Sequence, residues 1–417
     1  MRILLASIYP YAFLLLYLTI PFDNYIRALP NILLGVLVVA FPIIVTKKDF
    51  KKLLIKPTLL FLLFFAFLFL NSFISGRMAD DFVVIKKMLI PLGLVILYIP
   101  VQDFKKLNKA IIFSSLAAIV FSLVKFLIFV NRTGDFNITL FQETIDVLLI
   151  DRLYIGFLCI LSILVSYQSL KNKYNPYNSY YLTNIIINIL YVFLIMSKVA
   201  IVILIAIVLL RQFYGKQKKI RMFISIGLIV LIGGIGISKY KYQIEKIIDL
   251  KENIAEINYI ESTMPWEYRF LIWKCAYKIS QNSSNSFFGI GFKKTNKQLL
   301  ICYENEIKDL KTKQNFISKK FNTHNQYFDF YLSEGILGLI LFLGVLIALF
   351  MQYRKQFFPT ALLVSILIFG LTENFFHRQI GAYYFGFILV MLLINNTFFK
   401  DSKKESILNQ TKENLHQ

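Results

Sequence analysis

With 417 residues, 57% of them apolar, a mean hydropathy of +0.62 and only 17% charged residues, the chain is too apolar for a water-soluble globule. Its net charge of +22 does not point to nucleic acid, because the basic residues are dispersed between hydrophobic runs and do not gather on one polar domain. The runs are continuous and do not alternate, which excludes a transmembrane barrel, and Cys159, Cys275 and Cys302 lack the paired spacings of zinc or redox motifs.

The first run, residues 3–20, could pass for a secretory signal, yet it lacks a small-x-small cleavage site and a second run follows at once. It reads as a retained anchor. A hydrocarbon layer about 30 Å thick needs about 20 apolar residues per helix. Spans are accordingly expected at 3–20, 28–46, 55–72, 82–99, 110–130, 153–169, 181–196, 199–213, 221–238, 325–350, 357–371 and 380–397, an all-α polytopic membrane protein of about 12 helices. Lys and Arg recur in alternate connections, at 47–56, 103–109, 171–173, 211–221, 353–355 and 400–404, which puts those segments and both termini in the cytoplasm.

The opposite connections are poor in positive charge and mostly short, except for 239–324. The expected organisation is therefore helices 1–9 within 1–238, a large periplasmic loop at 239–324, helices 10–12 within 325–399, and a cytoplasmic tail at 400–417 that reads as disordered. In the loop, 241–257 has helical periodicity, Ser262 or Thr263 before Pro265 marks a helix start, 268–279 reads as an amphipathic helix, and a third helix is expected from about Asn296 to Lys311. Cys275 and Cys302 share this loop, and both a disulfide and two free thiols stay open.

No phosphate-binding GxxxxGK[ST] loop, HExxH, CxxC pair or GxSxG elbow is present, so nucleotide hydrolysis, zinc proteolysis and triad hydrolysis have no visible apparatus. More informative are Arg77, Lys86, Lys87, Lys125, Arg152, Lys198 and Arg378, which fall on the outer side or in the outer half of a span, where cations are costly. Each can be read as snorkelling to the interface; as a set they suit a lipid-linked diphosphate, which Arg binds through paired hydrogen bonds and Lys as a point charge. His324 stands where the large loop re-enters the membrane, in line with a helix continuing from Asn325 to Met351. A histidine there is a helix cap or interfacial residue in the bland reading; in the functional one its imidazole takes a proton from an attacking hydroxyl. Adjacent Asp80 and Asp81 suit a helix start better than a metal site, for which two carboxylates are few ligands.

The run His324-Asn325-Gln326-Tyr327, followed by Glu334-Gly335 and Gly338-Leu339, resembles the signature of the O-antigen ligase and polymerase superfamily. Arg269 with Trp273 resembles its Arg-x-x-x-Trp loop helix, Gly289-Ile290-Gly291 its Gly-x-Gly turn, and Thr372-Glu373-Asn374 a step before the last span. Ser197-Lys198 stands where the family usually has Ser-Arg, and Lys there forgoes bidentate phosphate binding. Coverage is good over 190–395; before that only the span number and Asp151-Arg152-Leu153-Tyr154 are similar.

The resemblance implies a GT-C-like membrane glycosyltransferase of the bacterial inner membrane, working without metal or cofactor. Its donor would be a glycan on undecaprenyl diphosphate and its acceptor lipid A-core, for a ligase, or a growing glycan, for a polymerase. His324 and Asn325 would form the catalytic entry, Arg269, Lys198, Arg152 and Arg378 would bind the diphosphate, and Trp273, Gly289 and Gly291 would shape the glycan site. A lipid-glycan flippase is the rival from another class; transporters place polar groups nearer the midplane and tend to carry internal repeats.

Overall fold

The computed structural model describes residues 2–23, 25–26, 28–50, 55–101, 104–134, 148–171, 175–214, 223, 226–227, 266–282 and 287–393. Most of the ninth expected span, the helical pattern at 241–257, the start signal before Pro265 and the tail after Lys400 lie outside them. In chain order the helices are α1 (Arg2–Thr19), α2 (Leu29–Ile44), the single turn α3 (Lys47–Phe50), α4 (Lys56–Ile74), α5 (Met78–Tyr98), α6 (Phe104–Thr133), α7 (Arg152–Ser169), α8 (Tyr177–Leu194) and α9 (Lys198–Gln212). There follow α10 (Trp266–Asn282), α11 (Phe292–Glu306), α12 (Leu310–Lys319), α13 (Gln326–Tyr353), α14 (Phe357–Gly370) and α15 (Gln379–Leu393). No strand occurs among the described residues.

Five helical segments are long and apolar enough to cross a membrane, Arg2–Phe22, Lys56–Ile74, Lys106–Arg132, Arg152–Ser169 and Gln326–Tyr353; α2, α14 and α15 are apolar but shorter. Three further helices occupy expected spans with a weaker signature: α5 carries Asp80, Asp81, Lys86 and Lys87, α8 carries Asn178, Asn184 and Asn188, and α9 has 15 residues. The chain is thus an all-helical, multi-pass membrane protein. Apolar side chains stand on its outside, among them Val39 at 74% exposure, Leu127 at 61% and Leu190 at 64%, as a lipid-facing surface requires.

Two helices form the interior: α7 is buried on every side from Tyr154 to Ser166, and α15 from Gly381 to Leu393. Where α6, α7 and α8 meet, Ser115 bonds Asn188, Asn188 bonds Asn184, and the Asn184 amide donates to the hydroxyls of Ser162 and Ser166. Such interhelical hydrogen bonds hold helices together in lipid, where apolar faces alone gain little from contact.

Helices α10, α11 and α12 form a separate unit with its own core of Ile272, Ala276, Leu299, Tyr303 and Phe316, closed by Leu332 of α13. Cys275 and Cys302 form a disulfide, so of the two readings open in the sequence the structure contains the bridge. The helix expected over 296–311 is in fact two, because the Asp309 carboxylate accepts from the Thr312 N–H at 2.8 Å and starts α12 as an N-cap.

A second departure lies in α13, expected to be continuous. Gly335, with φ +72° and ψ −174°, interrupts it. The segment 287–291 inserts there: the Ile290 N–H donates to Leu332 O at 2.8 Å, and the Gly291 N–H to Ser333 O at 2.9 Å. A Cβ on Gly335 would stand 2.2 Å from Phe287 O, so only glycine fits.

Candidate active site

The turn before α13 is tied down at four points. Asn325 caps the helix, its side-chain oxygen accepting from the N–H groups of Tyr327 (2.9 Å) and Phe328 (3.1 Å), while its amide donates to Leu371 O at 3.2 Å. Thr323 exchanges hydrogen bonds with Asn374, and the Trp273 indole N–H donates to Thr323 O at 3.2 Å. Between these anchors His324 adopts a left-handed backbone, φ +41°, its N–H held by the Asn322 side chain at 3.0 Å. A non-glycine residue at positive φ is strained, and here the surrounding bonds hold it in place.

That conformation brings His324 Nδ1 to 3.1 Å from Glu373 Oε2, with the imidazole 24% exposed and the carboxylate 8%. Tyr154 donates to the other Glu373 oxygen at 3.4 Å. Burial pushes the Glu373 carboxyl up, but the hydrogen bond from His324 and the positive charges of His324, Arg378 and Arg269 outweigh it, holding the pKa below the usual glutamate value. With a carboxylate fixing the proton on Nδ1, Nε2 is the basic nitrogen turned to any substrate.

Four of the expected cations share this neighbourhood. Arg378 donates to Asp151 at 3.2 Å and lies over the Tyr154 ring, 5.6 Å from its centroid. Arg269 is close enough to Glu373, Asp151 and Arg152 to interact through charge, and Lys198 likewise to Arg152 and Arg269. The local chain explains the convergence. Asp151 caps α7 by accepting from the Leu153 N–H at 3.1 Å, which makes Arg152 the first helical residue. One turn on, Gly156 leaves room for Ser197, whose Oγ would be 2.4 Å from any Cβ added there, so Lys198 at the start of α9 is drawn to the same end of α7. Cations are disfavoured at helix N-termini, whose positive dipole end suits an anion. Among the described residues, Asp151 and Glu373 are the carboxylates that stand beside these four cations.

The remaining expected residues lie elsewhere. Gly289 and Gly291, both at positive φ, sit in the seam with α13, where a Cβ on Gly289 would come within 2.4 Å of Ser333 O. Arg77 donates to Gly289 O at 3.0 Å, and Asn71 bridges Phe288 O (2.8 Å) and Glu334 (2.7 Å). Asp81 accepts from the Phe292 N–H at 2.7 Å and Asp80 pairs with Lys293 at 2.6 Å, so both acids clamp the loop unit to α5. Lys87 donates to His377 O at 2.6 Å, and Lys125 contacts Tyr25. Glu373, Tyr154 and Asp151 are neighbours of this turn to which the sequence reading gave no role; the Thr372-Glu373-Asn374 step and the Asp151-Arg152-Leu153-Tyr154 string were their visible signals.

The fold and site define a multi-pass helical membrane protein that carries a carboxylate-oriented imidazole near a group of cations at helix N-termini. Residues 183–343 match the model of the family described as O-antigen ligase, a likeness carried by that stretch of the chain. No curated protein matches the chain. The matched stretch contains Lys198, Arg269, Trp273, Gly289, Gly291, His324 and Asn325, whereas Arg152, Glu373 and Arg378 lie outside it and reach the site only through the fold.

Proposed function

We propose that the protein transfers a preassembled glycan from a lipid diphosphate of the undecaprenyl kind to an acceptor hydroxyl at the outer face of the bacterial inner membrane, with about twelve spans and both termini in the cytoplasm. The observation that carries this reading is the His324–Glu373 pair set among Arg152, Lys198, Arg269 and Arg378. In the proposed step the acceptor oxygen bonds the anomeric carbon while His324 Nε2 takes its proton, and the bond from that carbon to the diphosphate oxygen breaks with its electron pair leaving on the carrier. The four cations stabilise the charge growing on that leaving group. Glu373 acts as a positioning residue, and Asn325 and Trp273 hold the turn that presents the imidazole. The step assigns no role to a metal or cofactor.

The acceptor in this reading is lipid A-core, as in a ligase, and the alternative is a growing glycan, as in a polymerase. The glycans of a strain lacking the protein discriminate: unattached lipid-linked polymer signals a missing ligase, single-repeat caps a missing polymerase. Transfer by the purified protein in detergent, with no membrane to cross, separates transferase from flippase. His324→Ala and Arg269→Ala are expected to leave the protein inserted and to abolish transfer; normal glycan ladders in both would remove the assignment.

A further inference from the structure

The described part of the loop unit is strongly basic: residues 266–324 hold eleven Lys and Arg against four Asp and Glu. Two of the four acids are committed. Glu306 lies between Lys274 (3.0 Å) and Lys278 (2.5 Å), and Asp309 caps α12. Lys294, Lys297, Lys308, Lys311, Lys319 and Lys320 are exposed and make no ion pair among the described residues. Long loops cross the membrane largely regardless of charge, so topology does not account for this excess.

Two of these lysines adjoin the reacting turn. Lys319 Nζ lies 6.0 Å from the centroid of the Phe321 ring, and that ring's centroid is 5.6 Å from the His324 imidazole. Lys320 ends α12 in the left-handed conformation, φ +49° and ψ +53°, a position where Gly or Asn is the unstrained choice. A cation is therefore kept where the backbone disfavours it, one residue from an aromatic face beside the imidazole.

We infer that the saccharide handled at this site is acidic, and that Lys319, Lys320 and Phe321 form the subsite that receives its negatively charged sugar. The ring offers an apolar face to the sugar's C–H groups while the two ammonium groups meet a carboxylate or phosphate. Either the glycan chain or a phosphorylated acceptor can supply that charge. A phospholipid surface fits less well, because these lysines border the imidazole through Phe321. The inference rests on the transferase reading for the sugar's role, and its test reads binding without turnover.

The full chain in phosphatidylcholine nanodiscs is titrated with labelled oligogalacturonide and its neutral methyl ester, and separately with a bisphosphorylated glucosamine disaccharide and its dephosphorylated form. The acidic member of at least one pair is expected to bind about tenfold more tightly, the scale of two exposed ion pairs. Lys319→Gln with Lys320→Asn, the Asn suited to positive φ, is expected to remove that preference. Preference for the carboxylated probe assigns the charge to the glycan, and preference confined to the phosphorylated one assigns it to the acceptor. Equal binding within both pairs, or a preference that survives in the double variant, overturns the proposal. Normal glycan ladders in both His324→Ala and Arg269→Ala would sink the transferase reading and leave the binding result standing.

Discussion

At the scale of single residues, the site depends on a histidine whose proton is fixed by a buried acid. Glu373→Gln keeps the shape and removes the charge, so transfer is expected to fall on the order of 10²- to 10⁴-fold with donor affinity little changed, measured as kcat against KM on purified protein. The sign of the pH effect follows from the carboxyl being held below its ordinary value. A group with a depressed folded pKa stabilises the fold above its unfolded pKa, about 4.3 for glutamate, and that contribution is lost as pH falls through the folded pKa. Thermal unfolding in detergent should therefore show the unaltered protein's lead over Glu373→Gln steady from pH 7 down to about 5 and shrinking once pH falls below about 4.3. His324, Arg269 and Trp273 were legible in the sequence because each sits in a short recognisable string. Glu373 too sits in such a string, Thr372-Glu373-Asn374, but its role was not legible, since that comes from a partner 49 residues away. Gly289 and Gly291 were legible as a turn; what that turn docks against required the fold.

Between elements, the seam where residues 287–291 enter α13 sets the position of the whole loop unit. Gly335→Ala would force a Cβ against Phe287 O at positive φ, with an expected loss of about 1–3 kcal/mol and faster proteolysis within 266–324. An unchanged melting temperature and digestion rate would show the seam to be dispensable. The disulfide ties α10, which carries Arg269 and Trp273, to α11, which Asp81 holds against α5. Its two half-cystines are separated by 27 positions, and replacing both with Ser is expected to cost about 3 kcal/mol, read as a lower melting temperature that reductant no longer shifts. The helices of this unit were legible from periodicity. The Asp309 cap inside the expected third helix was not, because an acid there looks the same whether it faces water or ends a helix.

For the whole molecule, composition made the class plain, and the all-helical build follows from lipid leaving no other partner for backbone groups. The number of crossings was harder, since α5 and α8 mix polar side chains into their apolar runs, groups that make sense only once their neighbours are in place, and α9 is only 15 residues long. The proposed orientation is testable with one probe: a cysteine placed at Lys294 should react with a membrane-impermeant thiol reagent in intact inner-membrane spheroplasts, and one at Lys47 only after permeabilisation. The reverse pattern would move the imidazole to the cytoplasm.

In that orientation the Cys275–Cys302 bridge also acts as a clock. While the newly made segment is still on the reducing side its two sulfurs stay apart, and the arm bearing Arg269 has no fixed address. Competence would then arrive only after export and oxidation, so the chain could not engage its carrier before reaching the compartment where the product belongs.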